Sequence, residues 1–338
     1  MAGSTRLFLL LGVLGAAAGL AGAMLEAWPL ALLGGLAGVV GFGEVTVHGL
    51  ELATRALGLS GYASGVMVNS LAVVPELFLA YSIGSRGVEE GNPLLVELAV
   101  LTVMVGAGFT LAVLGLVALM GPGGLRVTRE AAEIELPLIR ATVASIGVVV
   151  LYALVEAAYV GRTPLDPLEA SVTLLVFFAV YMYWVASRGR TRGEGGLGWS
   201  PWLLGGLAGL VTSAEAMSSG VEAFTHGMGL GAAGLLVGLV GAAPEAALNL
   251  LAAKRGRREE AGYGLIAAVS ATVLLVYAAL GLLLPLPLDR YIVYVLGVLA
   301  AGLWLTARSL ETGEMLDRNE ALLITLLAVG ALLLLARV

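Results

Sequence analysis

The chain consists of long apolar runs separated by short charged, glycine-rich or proline-containing stretches. Taken from one such boundary to the next, these runs predict eleven membrane-spanning helices. The predicted spans are 5–25, 29–57, 61–86, 93–120, 136–160, 167–187, 200–228, 231–254, 261–284, 289–308 and 319–337. Because about 20 apolar residues cross the hydrocarbon core, we interpret the first run as a helix rather than a signal peptide.

Composition supports a membrane protein and limits its chemistry. The 338 residues are 59% hydrophobic and 12% charged, with a mean hydropathy of +0.98, far from the composition of a soluble domain. A net charge of −6 without a basic run argues against nucleic-acid partners. With no cysteine and two histidines, a metal site here has to be built from oxygen atoms. We expect lipid and small inorganic cations as partners and no cofactor.

Basic residues fall unevenly on the two sides of this eleven-span arrangement. Thirteen lie on the side of the N-terminus and four on the other, with Arg140 inside a span. The thirteen are Arg6, Arg55, Arg126, Arg129, Arg188, Arg190, Arg192, Lys254, Arg255, Arg257, Arg258, Arg308 and Arg318, and the four are Arg86, Arg162, Arg290 and Arg337. The positive-inside rule therefore predicts a cell-membrane protein with a cytoplasmic N-terminus and an external C-terminus.

Two parts of the chain resemble each other. Glu44, Glu51 and Pro75-Glu76 recur as Glu215, Glu222 and Pro244-Glu245, at an offset of 171 residues that becomes 169 at the Pro-Glu pair. Equivalent helices are five spans apart, an odd number, so the copies must cross the membrane in opposite directions. The predicted fold is an all-α polytopic membrane protein with one extra N-terminal helix and a 5+5 inverted repeat. Its predicted parts are an extra helix at 1–28, a first half at 29–187, a cytoplasmic linker at 188–199 and a second half at 200–338.

The repeated Pro-Glu pairs lie well inside predicted spans. A carboxylate there costs about 2.5 to 3.5 kcal/mol on insertion scales unless it faces a polar interior. Each proline lacks an N–H, which leaves the carbonyl four residues earlier, that of Leu71 or Val240, without its helical partner. Carboxylates beside such carbonyls suit a hard cation such as calcium. The alternative is a structural kink whose glutamate forms a pair, and the recurrence of the motif argues against it.

Other polar residues near the Pro-Glu pairs are candidate ligands or steps of an ion path. Asn69 and Asn249 could each supply an amide oxygen, although the repeat does not match them to each other. The candidates for a coupling-ion or proton path are Glu44, Glu215, Glu51, Glu222, Glu97, Thr102, Ser270 and Thr272. Each set has a structural alternative. Glu51 and Glu222 are then interfacial charges near Arg55 or His226, and the hydroxyls bond their own helix backbone, as they often do in membrane helices.

The motif residues resemble the α-repeats of the calcium/cation antiporter superfamily, which includes sodium/calcium and proton/calcium exchangers. The resemblance rests on Gly49, Leu57-Gly58-Leu59-Ser60, Pro75-Glu76-Leu77 and Arg86-Gly87, repeated as Gly220, Gly229-Leu230, Gly241-Ala242-Ala243-Pro244-Glu245 and Ala253-Lys254-Arg255-Gly256. It covers the chain from about residue 29 to the end, with specific motifs at 43–87 and 214–256. The resemblance implies that Glu76 and Glu245 bind calcium in alternating-access exchange, and the extra helix resembles the proton/calcium branch.

The motifs also depart from those of the sodium-coupled relatives. Those exchangers carry Gly-Thr-Ser before Pro-Glu, where this chain has Ala72-Val73-Val74 and Gly241-Ala242-Ala243. Their later Gly-Asn and Gly-Ser-Asn run is missing from 96–102 and 264–270. Proton coupling needs fewer ligands, because two carboxylates close together in a low-dielectric site cannot both stay ionised cheaply.

The sequence therefore predicts an antiporter that exchanges a divalent cation, calcium by resemblance, for protons or sodium. An uncoupled cation channel and an ion-binding membrane protein derived from an exchanger are the alternatives. A membrane enzyme is disfavoured, because the chain has neither an H-E-x-x-H run nor clustered aspartates.

Overall fold

The structure is a computed structural model that describes residues 2–59, 61–121, 123–126, 128–159, 167–188, 195–286, 290–313 and 315–335. These residues are almost entirely helical. The helices are α1 (Ala2–Met24), α2 (Trp28–Ala56), α3 (Gly61–Leu71), α4 (Val74–Glu89), α5 (Pro93–Leu119), α6 (Arg129–Tyr159), α7 (Pro167–Arg188), α8 (Ser200–Met228), α9 (Leu230–Lys254), α10 (Arg258–Ala271), α11 (Ala278–Leu283), α12 (Arg290–Gly313) and α13 (Arg318–Leu335). A π-helical segment, Thr272–Tyr277, joins α10 to α11.

These helices correspond one to one with the predicted spans once α3 is taken with α4, and α10 with α11. Among the described residues, nine helical segments are long and apolar enough to cross a membrane. Predicted boundaries shift most for the fifth span, which begins at Arg129 rather than 136, and for the tenth, which runs on to Gly313. Hydropathy marks the part of a helix inside the bilayer, whereas the backbone hydrogen bonding continues into the interface. The polytopic all-α fold is confirmed.

The chain forms two compact units. The first comprises the described residues of Met1–Thr102 and Ala186–Gly241, and the second those of Val103–Val185 and Ala242–Val338. Each unit takes helices from both parts of the sequence, so the units do not coincide with the predicted halves 29–187 and 200–338. Most of the predicted linker at 188–199 lies outside the described residues.

In the first unit, α2 packs against α8 through glycines. A Cβ atom on Gly35 would lie 2.6 Å from the backbone nitrogen of Met217, and one on Gly206 would lie 2.8 Å from that of Thr46. Gly35 and Gly206 are 171 residues apart, as are Thr46 and Met217. Such small residues let two membrane helices approach at backbone distance.

Two further pairs of contacts between α2 and α8 follow the same rule. A Cβ atom on Gly49 would lie 2.6 Å from the backbone nitrogen of Leu203, and one on Gly220 would lie 2.6 Å from that of Leu32. Contacts move toward the start of α8 as they move toward the end of α2, so these helices run antiparallel. Exchanging the two helices at the 171-residue offset reproduces these four contacts.

In the second unit, a short antiparallel ribbon joins two loops. Strand β1 (Leu125–Arg126) pairs with β2 (Met315–Leu316), which ties the connection between α5 and α6 to that between α12 and α13. The helix formed by α10, the π-helical segment and α11 is buried over most of its length and packs against α6.

Candidate cation site

The helix that carries the first Pro-Glu pair is interrupted by a two-residue turn just before the pair. It was predicted as one span, but α3 ends at Leu71 and α4 begins at Val74, with a turn between them. Pro75 has no N–H to donate to the Leu71 carbonyl, and the N–H of Glu76 donates to the carbonyl of Val73 at 3.0 Å. The break therefore places the Leu71 carbonyl at the end of a helix, where it has no i+4 backbone donor.

Glu76 stands in the first turn of α4, directly after this break. Its side chain is 8% exposed, which is unusual for a carboxylate. The preceding Pro75 packs on α2, since a Cβ atom on Gly43 would lie 3.2 Å from its Cγ. Glu44 follows Gly43 and is half-buried, so the two helices that carry Glu44 and Glu76 touch where these residues lie.

The end of α3 adds polar atoms beside the break. Asn69 is half-buried, as a ligand candidate should be, and its neighbour Ser70 is fully buried. Among the described residues, no hydrogen-bond partner lies near the Ser70 hydroxyl. The sequence analysis did not select Ser70. Its position next to Asn69 and shortly before Pro75-Glu76 would have identified it as a further candidate.

In the second unit, Glu245 is half-buried within α9. Here the helix continues through the proline, from Leu230 to Lys254, so the two Pro-Glu pairs have different backbones. The side-chain amide of Asn249 donates to the carbonyl of Glu245 at 3.0 Å, leaving its oxygen as the atom available to an ion. Val240, whose carbonyl was predicted to be released by Pro244, belongs to the part of α9 in the first unit.

The helix after the second Pro-Glu pair contains a feature that the sequence did not predict. Ser270 is fully buried, and among the described residues its hydroxyl has no hydrogen-bond partner. Thr272, also buried, begins the six-residue π-helical segment. π-Helical turns inside α-helices occur frequently at functional sites. Both residues are predicted path residues, and both are buried where the α-helix changes to the π-helical segment.

The remaining path candidates differ in burial and in their hydrogen bonds. The Thr102 hydroxyl donates to the Leu98 carbonyl at 2.8 Å, so this side chain bonds the backbone of its own helix. Glu97 is half-buried and Glu215 is exposed. The Glu51 carboxylate lies 4.0 Å from Nδ1 of His48 rather than beside Arg55.

Glu222 forms an ion pair that the sequence did not predict. Its carboxylate lies 3.1 Å from Nε of Arg86, which also contacts Glu90 at 2.8 Å. The predicted neighbour of Glu222, His226, has a side chain outside the described residues. This ion pair links α4 to α8 within the first unit.

We expect this ion pair to be structural. Glu222→Gln and Arg86→Gln should each change the free energy of unfolding by less than about 1 kcal/mol and be non-additive, because both partners are partly exposed. Thermal unfolding in detergent measures the stabilities, and Glu90→Gln is the control for the other partner of Arg86. Loss of transport in Glu222→Gln but not in Arg86→Gln would instead place Glu222 on an ion path.

The sequence analysis did not select Glu135, an acidic residue that the structure buries. Glu135 in α6 is 0% exposed and lies within electrostatic range of Tyr181 and Tyr263. It sits one residue before the predicted start of its span, where an acid is ordinarily interfacial. Only the longer α6 brings it inside the protein.

The described residues contain no group of three or more His, Asp or Glu side chains close enough to hold a metal ion. A cation bound in either unit would therefore need carbonyl, amide or hydroxyl oxygens beside its carboxylate. In the first unit, where Glu76 is the carboxylate, such oxygens belong to Leu71, Asn69 and Ser70. In the second unit, where Glu245 is the carboxylate, they belong to Asn249 and Ser270.

The fold is that of a polytopic α-helical membrane protein, and it is similar to the fold of solved cation exchangers. The crystal structure of the H+/Ca2+ exchanger CAX matches it at 15% identity and a TM-score of 0.72, over 99% of this chain and 91% of that one. The structure of native YfkE matches at 14% identity and a TM-score of 0.67, over 98% of this chain and 100% of that one. The sodium-calcium exchanger NCX_Mj matches at 18% identity and a TM-score of 0.60, over 96% of this chain and 98% of that one.

The family model described as sodium/calcium exchanger protein matches residues 27–186. This match covers a little under half of the chain, and the solved exchanger structures extend the likeness of the fold to nearly all of it. Comparison with curated proteins finds no match.

Proposed function

We propose that this protein exchanges a divalent cation, calcium by family resemblance, for protons by alternating access, with Glu76 and Glu245 as its carboxylate ligands. The observation that carries the proposal is the repeated Pro-Glu pair, whose first glutamate is buried at a break between two helices. A buried carboxylate beside helix-end carbonyls offers the oxygen ligands that calcium prefers.

Protons are the preferred coupling ion because the sodium-type hydroxyls are missing. Ala72 and Val73 form the turn before Glu76, and neither can offer a side-chain oxygen to sodium. The likeness to the H+/Ca2+ exchanger CAX, with a TM-score of 0.72 against 0.60 for the sodium-calcium exchanger NCX_Mj, supports the same choice. A glutamate that binds either a proton or the cation couples the two fluxes without a separate sodium site.

Transport in proteoliposomes tests this function. We expect calcium uptake to be driven by an opposed proton gradient, and to stop when an ionophore collapses that gradient. Uptake driven only by a sodium gradient would contradict proton coupling. Calcium flux that merely follows its own gradient, with no counter-flux, would identify an uncoupled channel, and binding without flux an exchanger-derived binding protein.

The orientation is proposed from the arginine distribution, with the N-terminus in the cytoplasm and the C-terminus outside. The chain has no cysteine, so single cysteines introduced at its loops can be labelled from one side without background. Labelling of the loop at 195–199 from outside intact cells would reverse the proposed orientation.

A further inference from the structure

A basic pocket lies in the second unit, where the connection after α5 meets the loop between α9 and α10. Its cavity has a volume of about 480 Å³, and its lining includes Arg126, Arg257 and Arg258. None of the residues considered for the cation site lines this pocket, and it lies where membrane helices end.

The walls of this basic pocket are held in place. Leu125 is 2% exposed and packs on α10, where a Cβ atom on Gly262 would collide with it. The backbone N–H of Thr128 donates to the hydroxyl of Tyr263 at 3.0 Å. Together with the pairing of β1 and β2, these contacts fix the position of the Arg126 backbone relative to α10.

The arginines of the basic pocket are only partly neutralised. Arg257 pairs with Glu260 at 3.3 Å, and Glu259, the other acid of the lining, lies near the Tyr263 hydroxyl. Among the described residues, no carboxylate lies within ion-pair distance of Arg126 or Arg258. The Nε atom of Arg258 is buried and, in the same described part of the chain, has no acceptor. In the described part of the chain, two guanidinium groups thus border the cavity outside ion-pair distance of any carboxylate, including Glu259 and Glu260 of its lining.

We propose that the basic pocket binds a phosphate group, held chiefly by Arg126 and Arg258. The planar fork of a guanidinium matches the geometry of phosphate oxygens, and a phosphate would satisfy the buried Nε of Arg258. The pocket lies on the side that the arginine distribution predicts to be cytoplasmic, where the lipid surface is negatively charged. The phosphate is either the headgroup of an anionic phospholipid or free in solution.

Binding is measured on the full chain in detergent by thermal unfolding, with inorganic phosphate in one titration and phosphatidic acid in mixed micelles in the other. We expect the unfolding midpoint to rise in at least one titration. Arg126→Gln and Arg258→Gln should weaken the binding about tenfold or more, because each removes charged hydrogen bonds to the ligand. Lys254→Gln removes a nearby charge that does not line the pocket and should leave the affinity unchanged.

A rise with both ligands assigns the site to free phosphate, and a rise with phosphatidic acid alone assigns it to a lipid headgroup. If neither ligand raises the unfolding midpoint, the proposal is overturned. It is also overturned if Arg126→Gln and Arg258→Gln show the same rise as the unaltered protein. Arg126→Lys and Arg258→Lys guard against misfolding, because they keep the charge and should recover part of the binding.

Discussion

Glu76→Gln is expected to lower cation exchange on the order of a hundredfold or more in proteoliposomes. Glutamine keeps the shape of the side chain but can neither carry the charge that compensates a desolvated cation nor release a proton. Removing one partner of a buried charge pair costs about 2 to 5 kcal/mol, which corresponds to this loss. Glu245→Gln is expected to have the same effect, because the sequence repeat matches Glu245 to Glu76 and both are proposed as carboxylate ligands.

The control for Glu76 lies on the same helix. Glu89 is exposed at the opposite end of α4, and Glu89→Gln should leave exchange unchanged. Binding of calcium to the purified variants, measured by calorimetry, separates loss of the ligand from loss of the conformational change. Full exchange in Glu76→Gln, with normal calcium affinity, would remove this residue from the cation site.

Gly206→Leu is expected to destabilise the first unit severely, whereas Gly205→Leu should be tolerated. A Cβ atom on Gly206 would lie 2.8 Å from the backbone nitrogen of Thr46, so the helices would have to separate. Nothing lies within 4 Å of a Cβ atom on the exposed Gly205. Overpacking typically lowers the free energy of unfolding by about 1 to 3 kcal/mol. We expect Gly206→Leu at the upper end of this range, because the Thr46 backbone cannot rotate away as a side chain can.

The comparison is made by thermal unfolding of both variants in the same detergent. The two residues are adjacent on α8 and receive the same side chain, so helix propensity and hydropathy cancel between them. Gly35→Leu should reproduce the effect of Gly206→Leu, because the two glycines occupy the same place under the 171-residue offset. Equal stability of Gly205→Leu and Gly206→Leu would mean that the approach of α2 to α8 is looser than described.

The number and positions of the helices were predictable from the chain alone. The second span was predicted at 29–57 and is Trp28–Ala56, and the seventh was predicted at 200–228 and is Ser200–Met228. This agreement has a physical cause: a bilayer leaves no alternative partner for backbone polar groups, so an apolar run of sufficient length must be helical. The Pro-Glu motifs were equally visible, because carboxylates are expensive in such runs.

The contacts between distant residues were decided only by the folded chain. Two proline-containing helices of similar hydropathy differ, since the one before Glu76 is broken and the one before Glu245 is continuous. The partner of Glu222 is Arg86, which belongs to another helix 136 residues earlier. Local pattern carries no information on which faces of two helices meet, because that depends on side-chain packing across the whole unit. The basic pocket has the same origin, since Arg126 of β1 and Arg258 at the start of α10 are distant in sequence and only the fold brings them together.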